Sequence, residues 1–154
     1  MFHSTNPSLF GRPATVRAEC RGLRLTVLEL RRVCVSLMGR TPRAFVEANC
    51  GLSDLFNRLA VCFDAVENHT YFETIRRECP SLQGRAGAVE KEHGDLKQSV
   101  SWLRDLAWHA NATRLARHIG SVLDRLEQHE NAEAELLQDF FLRAGEASSR
   151  EVRP

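Results

Sequence analysis

At 154 residues, 43% of them hydrophobic, the chain is long enough for one domain whose core needs no disulfides. A formal net charge of +1 excludes a general electrostatic attraction to nucleic acid, so no nucleic-acid partner is expected. Only five prolines and nine glycines are present, which leaves long stretches free of helix breakers and favours an all-α protein.

The five cysteines, at positions 20, 34, 50, 62 and 79, are odd in number and contain no CxxC pair. This scattered set indicates a reducing compartment rather than a disulfide framework or a structural zinc knot. No stretch resembles a signal peptide or a membrane-spanning helix, so we expect a cytoplasmic protein with no membrane partner. Cys34 and Cys62 lie on apolar stripes and are interpreted as small core residues.

The N-terminal third of the chain is predicted to form an irregular arm and two helices. The arm covers residues 1–13, and an apolar stripe then predicts a long helix over residues 14–38. Thr41 is a candidate N-cap before Pro42, and a short helix is expected to follow until Gly51 breaks it. The stripe of the first long helix comprises Val16, Cys20, Leu23, Val27, Leu30, Cys34 and Leu37.

Three further long helices are predicted in the rest of the chain. They cover about residues 53–78, 88–108 and 113–143, and residues 144–154 form a polar C-terminal tail. Short turns join the four long helices, and a helix that follows a short turn must run back along its neighbour. The predicted fold is therefore an all-α, antiparallel up-down four-helix bundle over residues 14–143.

Two of these helices carry a histidine and a glutamate four residues apart on their apolar face. The pairs are His69 with Glu73 and His129 with Glu133, and the third helix adds His93 on its own apolar face. Buried imidazole and carboxylate groups are unfavourable without partners. Counting from the turns at about 1.5 Å per residue puts all five side chains at one level of the bundle. Because histidine with carboxylate suits Fe, Mn or Zn, the pattern predicts a metal site in the bundle interior.

The order of these residues resembles that of the hemerythrin-like, or HHE cation-binding, family. The resemblance covers residues 15–142 and lies in HTYFE at 69–73, EH at 92–93 and HENAE at 129–133. It implies a four-helix bundle that holds a non-haem centre of two irons joined by an oxo or hydroxo bridge. It further implies terminal ligands His69, His93 and His129 and bridging carboxylates Glu73 and Glu133.

The sequence departs from this family in two places. Oxygen-carrying members resemble HxxxH on the third helix, whereas Lys97 stands four residues after His93, so the carrier pattern is not met. The first helix contains no histidine at all. Glu19, which lies near the apolar stripe, is the candidate ligand from this helix, with an open coordination position as the alternative. Cys20 lies on the stripe, but thiolate is a less usual partner for this chemistry.

The function implied by the resemblance is that of a non-haem iron protein whose site meets dioxygen, peroxide or nitric oxide. Sensing, detoxification and iron handling are all compatible with it, and oxidase-like or peroxidase-like activity is left open. Two other interpretations stay open as well. One is an interaction bundle with a vestigial metal site, and the other is a mononuclear metal protein.

The charge distribution suggests one protein partner. Residues 1–43 hold eight arginines and two glutamates, whereas the remainder holds 13 basic and 18 acidic residues. The arginines of the first helix lie away from its apolar stripe and form either a solvated face or a docking surface for an acidic protein. They are Arg17, Arg21, Arg24, Arg31 and Arg32.

Overall fold

A computed structural model describes the backbone of residues 14–68 and 71–151 and the side chains of residues 20–68 and 72–146. No strand occurs in these ranges, so the all-α prediction is confirmed, and four long helices are consistent with a helical bundle. None of the described helices has the length and apolar composition needed to cross a membrane. The helices are α1 (Ala14–Met38), α2 (Pro42–Glu67), α3 (Tyr71–Glu78), α4 (Gln83–Leu106) and α5 (Ala112–Glu151), with a 3₁₀ turn at Pro80–Leu82.

The turn between α1 and α2 follows from three residues of the sequence. Arg40 adopts a left-handed φ of 55°, and its N–H donates to the carbonyl of Leu37 over 2.9 Å, which closes α1. Thr41 Oγ1 accepts a hydrogen bond from the backbone N–H of Ala44 at 3.4 Å. Pro42 occupies the first turn of α2, where a backbone N–H would have no partner within the helix. The predicted N-cap at Thr41 is confirmed.

The predicted helix break at Gly51 is wrong, because Gly51 lies inside α2. A Cβ at this position would lie 2.7 Å from Leu30 Cδ2, so the glycine lets the fully buried Leu30 of α1 approach the backbone of α2. A glycine inside a helix costs about 1 kcal/mol relative to alanine, which the buried face of α2 outweighs. That face comprises Ala44, Ala48, Leu52, Leu55, Leu59, Cys62, Phe63 and Val66.

The other predicted helix ends are shifted. The helix expected over residues 53–78 is two helices, because α2 ends at Glu67 and α3 begins at Tyr71. Helix α4 begins at Gln83, ahead of the predicted start, and α5 continues to Glu151, beyond the predicted end. At the start of α5, Asn111 Oδ1 accepts a hydrogen bond from the backbone N–H of Arg114 at 2.9 Å, as expected for an N-cap. The predicted arm lies outside the described residues.

The long helices enclose one hydrophobic core. Helix α1 contacts α2 and α5, and α4 contacts α2 and α5, so each long helix packs against two others. The core is built from the aliphatic stripes of all four. Among the residues whose side chains are described, four polar ones are buried within it, namely Thr26, His93, His129 and Glu133. Three of these four are predicted metal ligands, which makes them the polar centre of the core.

Two arginines of α1 form ion pairs with acidic residues of α5. Arg31 Nη2 lies 3.0 Å from Asp124 Oδ1 and 3.3 Å from Glu127 Oε2, and Arg24 Nε lies 3.9 Å from Glu130 Oε2. These pairs are largely exposed to solvent, where an ion pair contributes about 0–1 kcal/mol. Arg24 and Arg31 therefore face acidic residues of the neighbouring helix within the same chain.

Replacing Gly51 with alanine is expected to lower the free energy of unfolding by up to about 2 kcal/mol, because overpacking of about 1–3 kcal/mol exceeds the gain in helix propensity. Gly87→Ala is the matched control, since nothing lies within 4 Å of a Cβ at that position. It should raise the free energy of unfolding by about 0.5–1 kcal/mol. Urea denaturation measures both, and equal stabilisation by the two substitutions would contradict the close packing of Leu30.

Candidate metal centre

Three of the predicted ligands meet in the core. His93 comes from α4, and His129 and Glu133 come from α5. One imidazole nitrogen of each histidine and one carboxylate oxygen lie within 4.8 Å of one another. The rings of His93 and His129 meet edge to face with their centroids 4.9 Å apart. The prediction that these two helices bring their histidines to one level is confirmed.

Helical spacing explains why these polar groups are buried. His129 and Glu133 are four residues apart and therefore lie on the same face of α5. His93 lies on the core-facing stripe of α4, and all three side chains have exposed fractions of 4% or less. The aliphatic packing above and below them fixes the two helices against each other. The buried neighbours on the same stripes are Val89, Leu96, Leu126 and Leu136.

Each histidine ring donates a hydrogen bond to a glutamate at the edge of the core. His93 Nδ1 lies 2.8 Å from Glu67 Oε1, and His129 Nδ1 lies 3.2 Å from Glu92 Oε2. The glutamate side chains are 40% and 33% exposed. Because an ionised carboxylate only accepts hydrogen bonds, Nδ1 of each ring carries the proton. Nε2 of each ring consequently presents a lone pair.

Both Nε2 atoms are buried and have no hydrogen-bond partner among the described residues. A buried acceptor left unsatisfied costs about 1–3 kcal/mol, and native proteins contain few of them. A metal ion would satisfy both lone pairs at once. Histidines that bind metals usually donate their other N–H to a carboxylate, as His93 and His129 do here. The donors therefore fit a metal ion.

Aromatic rings line the site and influence its protonation. Phe63 stacks on His93 with centroids 4.1 Å apart and meets His129 edge-on at 5.4 Å, and Phe72 meets His93 edge-on at 6.2 Å. Burial lowers the pKa of His93 below its usual range, and this outweighs the opposite effect of the Glu67 hydrogen bond. His93 is therefore neutral near pH 7, which is the form that binds metal.

Glu73 does not join this cluster. Its predicted position on the inward face is wrong, because the structure places Glu73 on the exposed side of α3. The helix ends at Glu67 and starts again at Tyr71, so the periodicity of α2 does not continue into α3. Phe72 and Ile75 of α3 face the core instead.

Two other predicted ligands fall outside the described part of the site. His69 lies in the segment 69–70, and the side chain of Glu19 precedes the described side chains, although its backbone belongs to α1. Both stay predictions. Lys97, four residues after His93, lies 3.9 Å from Asp64 Oδ1 and is partly exposed, so it is oriented toward an acidic surface residue.

Glu67 and Glu92 are the functional residues that the sequence reading missed. Glu67 lies off the apolar stripe of α2, and Glu92 precedes His93 directly, so periodicity makes both resemble ordinary solvent-facing glutamates. Arg125 Nη2 lies 3.8 Å from the second oxygen of Glu92 and holds that carboxylate in place. A chemical argument could have identified them, because a metal-binding histidine usually donates its second ring N–H to a carboxylate, and glutamates near each histidine are candidates for that acceptor.

Comparison with known proteins adds no family assignment to this geometry. No protein-family model, no curated protein and no solved structure matches the chain. The identification of the site therefore rests on the described residues and their contacts.

Glu67→Gln should weaken metal binding by about 10–100-fold, because a neutral amide is a poorer acceptor for Nδ1–H of His93 and lowers the basicity of Nε2. Glu47→Gln is the matched control on the same helix, since Glu47 pairs with Arg43 at the surface. Competition with a chromogenic chelator, using cobalt(II) as the probe, measures both affinities. Unchanged affinity in Glu67→Gln would show that this carboxylate does not support a ligand.

Proposed function

We propose that this chain is a non-haem iron protein whose site reacts with dioxygen, peroxide or nitric oxide. The observation that carries the proposal is the pair of buried Nε2 atoms of His93 and His129, which lack hydrogen-bond partners among the described residues. They belong to a cluster in which one nitrogen of each ring and one Glu133 carboxylate oxygen lie within 4.8 Å of one another. Two imidazoles and one carboxylate are the donor set of non-haem iron sites that keep open coordination positions. A bundle with a vestigial site would have no reason to keep two unsatisfied acceptors in its core.

The architecture proposed with this function is an antiparallel, up-down, hemerythrin-like bundle. Two short connections support it, residues 39–41 between α1 and α2 and residues 107–111 between α4 and α5. The packing of each long helix against two others supports it as well. The chain order of the three core ligands matches the order that the family resemblance implies.

The proposal has two forms, one with a single iron per chain and one with two irons per chain. In both, His93, His129 and Glu133 hold the first iron. The resemblance implies a second iron that would take His69 and Glu73 as ligands. The exposure of Glu73 favours the other candidate, a single iron per chain.

The residues around the site have defined roles in this proposal. Bound iron supplies redox and Lewis-acid chemistry toward small oxygen and nitrogen ligands. Glu67 and Glu92 hold the Nδ1 protons and thereby orient both imidazoles. Phe63 packs on the ring of His93 and excludes water from that side. Sensing, detoxification and iron handling share this chemistry, as would an oxidase-like or peroxidase-like activity.

The setting of the protein is proposed from its cysteines and its surface charges. None of the five cysteines forms a disulfide bond, which suits a reducing cytoplasm. An acidic protein partner for the arginines of α1 is a weaker proposal, because Arg24 and Arg31 already pair with acidic residues of α5.

Anaerobic loading with ferrous iron followed by metal analysis tests the proposal. We expect close to one iron per chain for the single-iron form and close to two for the two-iron form. His93→Ala, His129→Ala and Glu133→Ala should each abolish tight binding, because each removes a ligand. His118→Ala is the control, since His118 lies on α5 and packs edge-on against Trp102. A parent protein that retains less than about half an ion per chain would indicate a vestigial site.

Reaction with dioxygen is expected to be irreversible. Helix α1 supplies no histidine, so a coordination position stays open to water or peroxide, and the site lacks the closed ligand set that a reversible carrier needs. In stopped-flow absorbance, removing dioxygen should not restore the spectrum of the reduced protein. Leu23→His or Val27→His, on the inward face of α1, should slow the oxidation, whereas Leu28→His, on its exposed face, should not. A fully reversible spectrum in the parent would contradict the open position.

A further inference from the structure

Two buried cysteines meet where α1 packs against α2. The Sγ atoms of Cys20 and Cys62 lie 2.8 Å apart, and the residues are 7% and 4% exposed. The contact is a thiol hydrogen bond in which either sulfur can be the donor. A disulfide bond is about 2.05 Å long, so the two sulfurs are less than an ångström from bonding distance.

The remaining three cysteines have different surroundings. Cys34 donates to the carbonyl oxygen of Ala116 at 3.7 Å, and burial raises the pKa of its thiol. Cys79 lies beside Ser81 Oγ at 3.5 Å, and Cys50 is exposed. Within the described residues, only Cys20 and Cys62 place sulfur against sulfur.

We propose that Cys20 and Cys62 are a redox modification site, at which a hydroperoxide converts the two thiols into a reversible disulfide between α1 and α2. The contact between them holds the second sulfur next to the sulfur that reacts with the hydroperoxide. The proposal does not depend on a bound metal.

The chemistry balances with hydrogen peroxide as the oxidant. One thiol sulfur attacks a peroxide oxygen, the O–O bond breaks, and a sulfenic acid and one water form. The second sulfur then attacks the sulfenic sulfur, the S–S bond forms, and the S–O bond breaks with release of a second water. In total the two thiols lose two electrons and two protons, and peroxide is reduced to water. A thiol reductant reverses the product by disulfide exchange.

The location links this pair to the candidate metal centre. Cys62 immediately precedes Phe63, whose ring stacks on His93. A disulfide at this position would fasten α1 to α2 directly beside the aromatic wall of the site.

Peptide mapping of the full-length protein after treatment with hydrogen peroxide tests the proposal. Alkylation, digestion and mass spectrometry should recover a peptide that joins Cys20 to Cys62, and dithiothreitol should release it. Cys34→Ala should retain the linked peptide, whereas Cys20→Ala and Cys62→Ala should lose it. Five alkylatable thiols after treatment, or oxidation confined to Cys50 dimers, would overturn the proposal.

Thermal unfolding of the parent protein, compared before and after reduction, gives a second readout. Closing a loop between positions 20 and 62 should raise the Tm of the peroxide-treated parent by about 10 °C relative to the same sample after dithiothreitol. Cys34→Ala should show the same rise. A rise that persists in Cys62→Ala would come from another modification and would overturn the assignment.

Discussion

The structure is organised by two hydrogen bonds that cross the boundary of its core. Each runs from a fully buried imidazole to a carboxylate that still contacts solvent, from His93 to Glu67 and from His129 to Glu92. In each pair the carboxylate accepts a hydrogen bond from Nδ1 of the ring, and Nε2 stays buried in the core. Without these bonds the rings would carry two unsatisfied nitrogens each, and the aliphatic stripes around them would favour a leucine at both positions.

The end of α2 determines where one of these carboxylates lies. Glu67 is the last residue of that helix, near carbonyl groups that disfavour negative charge. The N–H of His93 offsets this unfavourable position. Because α2 ends here, the residues of α3 do not follow the helical periodicity of α2, and Phe72 faces the core. If α2 and α3 were one continuous helix, the contact of Glu67 with His93 and the packing of Phe72 in the core would both change.

The sequence predicts the long helices and the three polar residues that meet in the core, and the reasons for the failures are local. Periodicity identifies His93, His129 and Glu133 because α4 and α5 are uninterrupted where these residues occur. The prediction for Glu73 fails because no proline or glycine near position 68 indicates that the helix ends there. The prediction for Gly51 fails because a single sequence does not show that Leu30 packs closely against this glycine. Glu67 and Glu92 are missed because their roles depend on contacts between helices.

The arginine beside Glu92 has a consequence for the electrical balance of the centre. Glu67, Glu92 and Glu133 contribute three formal negative charges around the two imidazoles, and Arg125 contributes one positive charge at 3.8 Å from Glu92. The residual double negative charge equals the charge of a single divalent cation. A second such cation would leave an excess of positive charge in a largely apolar interior, where uncompensated charge is strongly disfavoured. On this charge balance, the described residues favour the single-iron form of the proposal.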